Sequence, residues 1–190
     1  MAKPEISLQS RLKCWLQADT ERMSALAFAT ELNLPDWCLA AGFVRNLVWD
    51  QLHAYHQPTP LTDLDLIYFD PGNTSEQRDR ELEAQLNARS AAPWSVKNQA
   101  RMHHRNGDAP YHSTADAMSY WVEVETAVGV RLNKNAEVQL IAPFGLDSLM
   151  DGYLSLNPKR PKPDAFAQRQ TNKAWLSIWP RLKVRQSRSD

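Results

Sequence analysis

Cysteine is nearly absent from this chain of 190 residues, with Cys14 and Cys38 the only two. Two thiols build no disulfide framework, which excludes a small disulfide-stapled secreted scaffold. Both sit beside tryptophans in apolar stretches, where a buried free thiol is the expected occupant. Glycine is scarce too, at six residues, and there is no repeat or low-complexity tract, so a collagen-like fibre is excluded. No apolar run approaches the roughly 18 residues that a membrane span requires, and residues 1–10 lack the apolar stretch of a secretory signal. No membrane partner is expected, and the expected location is the cytoplasm. Net charge is also missing, with 22 basic residues against 22 acidic ones, so the chain lacks the strongly basic character of a dedicated DNA-binding domain.

What is present is an ordinary globular composition, 43% hydrophobic and 23% charged, long enough to bury a substantial core. The balanced charge is unevenly placed. Residues 157–190 carry nine Lys or Arg against two Asp, a balance of +7, which leaves −7 for the rest. Such a basic segment either touches phosphates or clamps an acidic body.

Apolar residues at three- and four-residue steps predict two helices over 5–33 that break near Asp19 and Thr20. Pro35 ends this region. Trp37 to Ala41 reads as a strand, Gly42 as a turn and Phe43 to Tyr55 as a helix. Leu61 to Phe69 alternates as a strand, and a solvent-facing helix follows over Ser75 to Asn87, capped by Thr74 or Ser75. Trp94 to Met102 reads as a further strand and Thr114 to Trp121 as a helix. Thr126 to Leu132 and Glu137 to Ile141 form a hairpin around Asn133-Lys134-Asn135-Ala136. A short helix from Asp147 to Leu154, a proline-rich connector and a helix from Ala165 to Trp179 complete the chain, with a frayed end from Lys183. The expected architecture is α/β (α+β): one domain over 1–182 with a core at 37–155, a mixed sheet of about five strands, packed helices, helical extensions at both ends, and a flexible tail at 183–190.

The informative chemistry lies in Gly42-Phe43-Val44-Arg45 at a helix start, followed by Asp63-Leu64-Asp65 on the next strand. Alternate strand residues face one way, so the two carboxylates project together while Leu64 and Leu66 pack behind them. Carboxylates side by side repel unless a cation lies between them, and hard oxygen ligands beside phosphate suit Mg²⁺ (or Mn²⁺). Gly42 removes bulk where a backbone approaches a ligand, and the helix starting there offers free amides to an anion. A solvent-facing strand edge and an ordinary strand-turn-helix are the alternatives for each part alone.

Together these parts resemble the DNA polymerase β-like nucleotidyltransferase superfamily, nearest to the tRNA CCA-adding and poly(A) polymerase pattern of G-G-x-V-R-D followed by D-h-D. Here the first motif reads Ala41-Gly42-Phe43-Val44-Arg45-Asn46, with Ala41 for the first glycine and Asn46 for the aspartate. Further stretches, among them Asp63 to Asp70, Trp94 to His103, Thr126 to Arg131 and Ala142 to Leu146, are similar to small bacterial proteins catalogued as predicted nucleotidyltransferases. The resemblance runs from about Trp37 to Trp179. It implies transfer of a nucleoside monophosphate from a nucleoside triphosphate to an acceptor it does not specify: a small molecule, a protein or an RNA. Asp63 and Asp65 are the implied metal ligands and catalytic residues, with Gly42 and Arg45 at the nucleotide.

A third carboxylate is usual in that superfamily. Glu137 and Glu123 are the candidates, Glu137 being the one assigned as catalytic, and Asn98 in that place would mean weakened or lost catalysis. Lys97, Gln99 and Arg101 share a face if the strand runs through them, which makes Lys97 and Arg101 candidate triphosphate contacts. His53 and His56 with His103 or His104 are a weaker metal set. Trp49 and Trp94 are core residues or base-stacking platforms. Docking of the last helix through Phe166, Trp175 and Trp179 would turn Arg169 and Lys173 toward the cleft. A catalytically inactive nucleotide- or RNA-binding module of the same fold is the alternative function.

Overall fold

The structure, a computed structural model, describes residues 6–185. Two helices open it, α1 (Leu8–Ala18) and α2 (Thr20–Glu31), and Asp19 is the break between them because its carboxylate caps α2 by accepting the Arg22 amide at 2.9 Å. Leu12 and Leu16, one turn apart, are buried on α1. Cys14 falls between them on the other face, so it is exposed rather than buried, whereas Cys38 is buried as expected.

The central sheet contains β1 (Cys38–Ala40), β2 (Leu64–Tyr68), β3 (Trp94–Asn98), β4 (Gly129–Leu132) and β5 (Val138–Ile141) in the order β3-β2-β1-β4-β5. Only β2 and β3 pair in parallel, joined by the crossover helix α4 (Glu76–Asn87); the other pairs are antiparallel. This is the mixed five-stranded α/β arrangement expected. Between β1 and β2 runs α3 (Gly42–Leu52). Leu39, Leu64, Leu66, Tyr68 and Val130 face the main core, while Cys38, Ala40 and Ile67 belong to a small cluster on the other face with Met118 and Ala127. The alternation on β2 therefore leaves Asp65 on the face of the small cluster, away from the main core.

Several elements are shorter than expected; among them β2 begins at Leu64, just after Asp63, rather than at Leu61. Strand β3 stops at Asn98, whose side chain is buried in a network: it donates to the Asp70 and Asn73 carbonyls and accepts from the Asp70 and Ala100 amides. The chain then turns through a 3₁₀ segment, Gln99–Arg101, into α5 (Met102–Asn106). Helix α6 spans Thr114–Met118, and α7 only Asp147–Met150. After α7 the chain forms β6 (Tyr153–Ser155).

The C-terminal helix is divided into α8 (Pro163–Lys173) and α9 (Trp175–Ile178) by Ala174 at φ +50°. Phe166, Trp175 and Trp179 are all buried. Trp49 on α3 meets Trp175 and Trp179 edge-on at 5.8 and 5.0 Å, and Trp179 Nε1 donates to Asp50 at 2.8 Å. Lys183–Arg185 is not frayed: it is β7, parallel to β6, because its backbone finds ladder partners there. The rest of the expected tail, 186–190, lies outside the described residues.

Candidate functional site

The site is built where β1 ends and β2 begins, beside the start of α3. Ala41 occupies the turn at φ +56°, ψ −123°, a region that L residues other than glycine rarely adopt. Its carbonyl accepts from the Val44 and Arg45 amides, and no side chain caps the helix, so the Gly42 and Phe43 amides are left to an external acceptor. Gly42 itself has room for a Cβ, which would meet Arg45 Nη2 and Asn46 Nδ2 at an ordinary 3.5 Å. Internal packing does not require its lack of a side chain.

Asp65 lines a cleft of about 510 Å³ bounded by Ala41 and Thr126 on one side and by Lys97, Met102 and Arg105 on the other. Asp63, half-buried, immediately precedes β2. Burial, and after it the charge of Asp63, pushes the Asp65 carboxyl up to about 6; Arg45, Lys173 and Arg169 pull it the other way. A half-buried pair of like charges is a hard-oxygen donor set, and a divalent cation is the ligand that relieves its repulsion. The two residues fit such an ion.

Arg45 lies under this cleft, buried. Its Nη1 donates to Thr126 Oγ1 at 2.8 Å and its Nη2 to Asn46 Oδ1 at 3.0 Å, and its guanidinium is 5.0 Å from the Trp49 ring and 4.6 Å from the Trp175 ring. Burial pushes its pKa down to about 10, and the charges of Glu123, Asp63 and Asp65 oppose that. The tryptophans therefore serve as core and as walls for this cation. Trp94, also buried, donates to Ser90 at 2.9 Å.

Other expected members are distributed differently. Glu137 stands at the far end of the hairpin, where it accepts from Asn133 Nδ2 at 2.9 Å. It precedes by four residues Ile141, which pairs with Gly129 and through it with Ala40 and Asp65, so it lies ~13 Å along the strand from the carboxylate pair. Glu123 does line the cleft, but it is buried and clasped by Arg169 at 2.6 and 3.2 Å. Asn98 is held in its own network away from the pair. Because β3 ends at Asn98, Arg101 lies off the strand and pairs with Asp79 and Glu76, lining a second pocket beside Lys97 rather than the cleft. Lys97 remains at the cleft edge.

The histidines do not converge. His53 is buried with Nδ1 2.7 Å from the Trp49 carbonyl and Nε2 accepting from the Arg181 amide at 2.9 Å. Among the described residues, no group of three His, Cys, Asp or Glu side chains is arranged to hold a metal. Sequence reading did not find Thr126 and Trp175 as the partners of Arg45. They lie about 80 and 130 positions away along the chain, and no spacing rule reaches that far.

A nucleotidyltransferase family model matches residues 27–184. The chain belongs to the nucleotidyltransferase family. An NMR structure described as revealing a CCA-adding enzyme head domain shares 30% identity with this nucleotidyltransferase, covers 97% of it and 98% of that chain, and superposes with a TM-score of 0.84. Complexes of CCA-adding enzyme with ATP and with CTP share 15% and 13% identity at TM-scores of 0.59 and 0.55, each covering 92% of this chain. That likeness is one of fold, and this chain spans 43% of the length of those enzymes. No curated protein matches the sequence. Among the described residues, no helix is long and apolar enough to cross a membrane.

Proposed function

We propose that this nucleotidyltransferase transfers a nucleoside monophosphate from a nucleoside triphosphate to an acceptor hydroxyl, with Mg²⁺ or Mn²⁺ held by Asp63 and Asp65. The observation that carries this reading is Asp65 on the open face of β2, with Asp63 just before the strand, beside the uncapped start of α3. The ion, when bound, supplies charge neutralisation at the transferring phosphorus and at the departing pyrophosphate. The Gly42 and Phe43 amides hold phosphate oxygens, with the helix dipole in their favour. Gly42 lets the backbone approach, and Lys97 adds a mobile cation at the cleft edge. Arg45 is a positioning residue: clamped by Thr126 and two indoles, it fixes the first turn of α3 and places a buried positive charge near the pair.

Arg101 has no place in this set because its guanidinium is committed to Asp79 and Glu76. Glu137 has none because of its distance along the hairpin. A second reading, a non-catalytic nucleotide-binding module, is favoured by one observation: the third carboxylate in the cleft, Glu123, is neutralised by Arg169. Incubation with each labelled nucleoside triphosphate and Mg²⁺ or Mn²⁺ separates the two. Pyrophosphate release that disappears in Asp63→Asn and Asp65→Asn supports transfer. Nucleotide binding with no release, with any acceptor offered, supports the module.

A further inference from the structure

The sheet gives the cleft a direction. The turn at Ala41 ends β1, Asp65 lies on the neighbouring β2, Lys97 on β3 beyond it, and Met102 and Arg105 on α5 at the far side. Past Lys97 lies a second pocket of about 420 Å³, which shares Lys97, Met102 and Arg105 with the cleft and adds Arg80 and His104. Nucleotidyl transfer places the attacking and leaving oxygens in line on opposite sides of phosphorus. With the pyrophosphate held toward α3, the attacking oxygen comes from the Lys97 side, where this pocket opens.

The charges of the pocket are not all available. Asp79 accepts from the Tyr68 hydroxyl and the Asn98 amide and pairs with Arg101, which also reaches Glu76. Arg105 and His104 are exposed and have no ion-pair partner among the described residues, and Lys97 has only a contact of 3.9 Å with Glu83. The lining therefore keeps a local surplus of cationic groups, at the mouth shared with the cleft.

We propose that this pocket is the acceptor site, and that the acceptor is a small hydroxyl compound carrying a phosphate group. The inference rests on the donor chemistry proposed above. Its size is that of a small-molecule site. Nucleic acid fits less well, because tracking a polyphosphate backbone takes a continuous basic stripe, and several cations of the basic C-terminal segment are already engaged by the protein itself. Lys159 pairs with Asp116, Arg160 with Asp108 and Arg169 with Glu123, and Arg185 stacks on Tyr153. In the transfer itself, the acceptor oxygen forms a bond to the α-phosphorus and the bond to the α–β bridging oxygen breaks. Pyrophosphate leaves with that electron pair, and the hydroxyl proton passes to bulk water. Arg105 holds the acceptor's phosphate, which aims its hydroxyl back toward Asp65.

The test uses the whole chain with two probes. Ribose 5-phosphate binding is followed by amide NMR shifts, and a non-hydrolysable nucleoside triphosphate analogue with Mg²⁺ by calorimetry, for the wild type, Arg105→Glu and Asp65→Asn. The expected result is ribose 5-phosphate binding that shifts amides of residues 97–106, weakens by at least about tenfold in Arg105→Glu and persists in Asp65→Asn. Analogue binding is expected to show the reverse pattern. Ribose 5-phosphate binding equal in all three proteins overturns the proposal. So does loss of analogue binding in Arg105→Glu, which would give the pocket to the donor. A short RNA that binds more tightly than ribose 5-phosphate and depends on Arg105 would make the acceptor a nucleic acid and overturn it as well. If the wild type binds no analogue, the donor reading fails. That failure is recognised by ribose 5-phosphate binding that Arg105→Glu still removes, and the pocket is then an anion site without an acceptor role.

Discussion

Ala41 carries a backbone conformation suited to glycine while bearing a Cβ, and it sits where the phosphate-holding turn begins. Strain of this kind costs of order 1–3 kcal/mol and is held in place by surrounding bonds, here from Ala41 to Val128 and from Val44 and Arg45 to Ala41. Ala41→Gly is therefore expected to raise stability by about 1 kcal/mol in denaturant melts, after the entropic cost of glycine is subtracted. Asp65 holds a second reserve of strain, electrostatic in kind. Its folded pKa, about 6, lies above the ordinary carboxylate value of 3.8, so the protonated form is the one that folding favours. Its stabilising contribution is complete below pH 3.8 and is lost as pH rises through about 6. The ligand-free protein should lose roughly 3 kcal/mol from this group between those values. Asp65→Asn should remove that slope in pH-dependent unfolding and be the more stable protein at pH 7, while losing metal-dependent nucleotide binding. Metal binding by the wild type should fall as pH drops through about 6, because the carboxylate must be ionised to ligate.

At the scale of elements, α8 and α9 complete the fold around Arg45. Phe166, Trp175 and Trp179 are buried, and burying three such aromatics is worth on the order of 10 kcal/mol, comparable with the net stability of a whole domain. A chain ending at Asp164 should not give a cooperative thermal transition; a truncated protein with an unchanged melting temperature would refute this packing argument. Strand β7 is a lesser element, three residues paired in parallel with β6, with Arg185 stacked on Tyr153. Ending the chain at Leu182 should leave a folded protein that is less stable by about 1–2 kcal/mol, read as a melting temperature lower by a few degrees.

For the whole molecule, the −7 body and the +7 C-terminal segment meet inside one fold. The segment answers acidic groups of the body through Lys159, Arg160 and Arg169, the last of them in the cleft, while its aromatics carry the docking energy. Surface ion pairs are weak and screened by salt, whereas apolar burial is not. Raising the salt concentration from about 0.05 to 0.5 M should therefore change the melting temperature by no more than about 2 °C. A drop of ten degrees or so would show that charge attraction holds the segment in place.

The helices at both ends, the strand carrying Asp65 and the five-stranded sheet followed from the sequence, because each rests on a local period or a cap; the turn before α3 was expected at Gly42 and lies at Ala41 instead. The open face of Asp65 was legible for the same reason, a period of two being a property of the strand itself, whereas Asp63 falls just before the strand and outside that rule. The end of β3 was not legible. Lys97 to Met102 alternates well enough for a strand, and it is the Asn98 side chain, satisfied by Asp70 and Asn73 from another loop, that turns the chain and takes Arg101 to Asp79. The Thr126 and Trp175 clamp on Arg45, the clasp of Arg169 on Glu123 and the pairing of β7 with β6 were equally hidden. Each joins residues brought together only when the sheet and the C-terminal helices close on one another, and no local pattern encodes which distant partner satisfies a buried charge or a free strand edge.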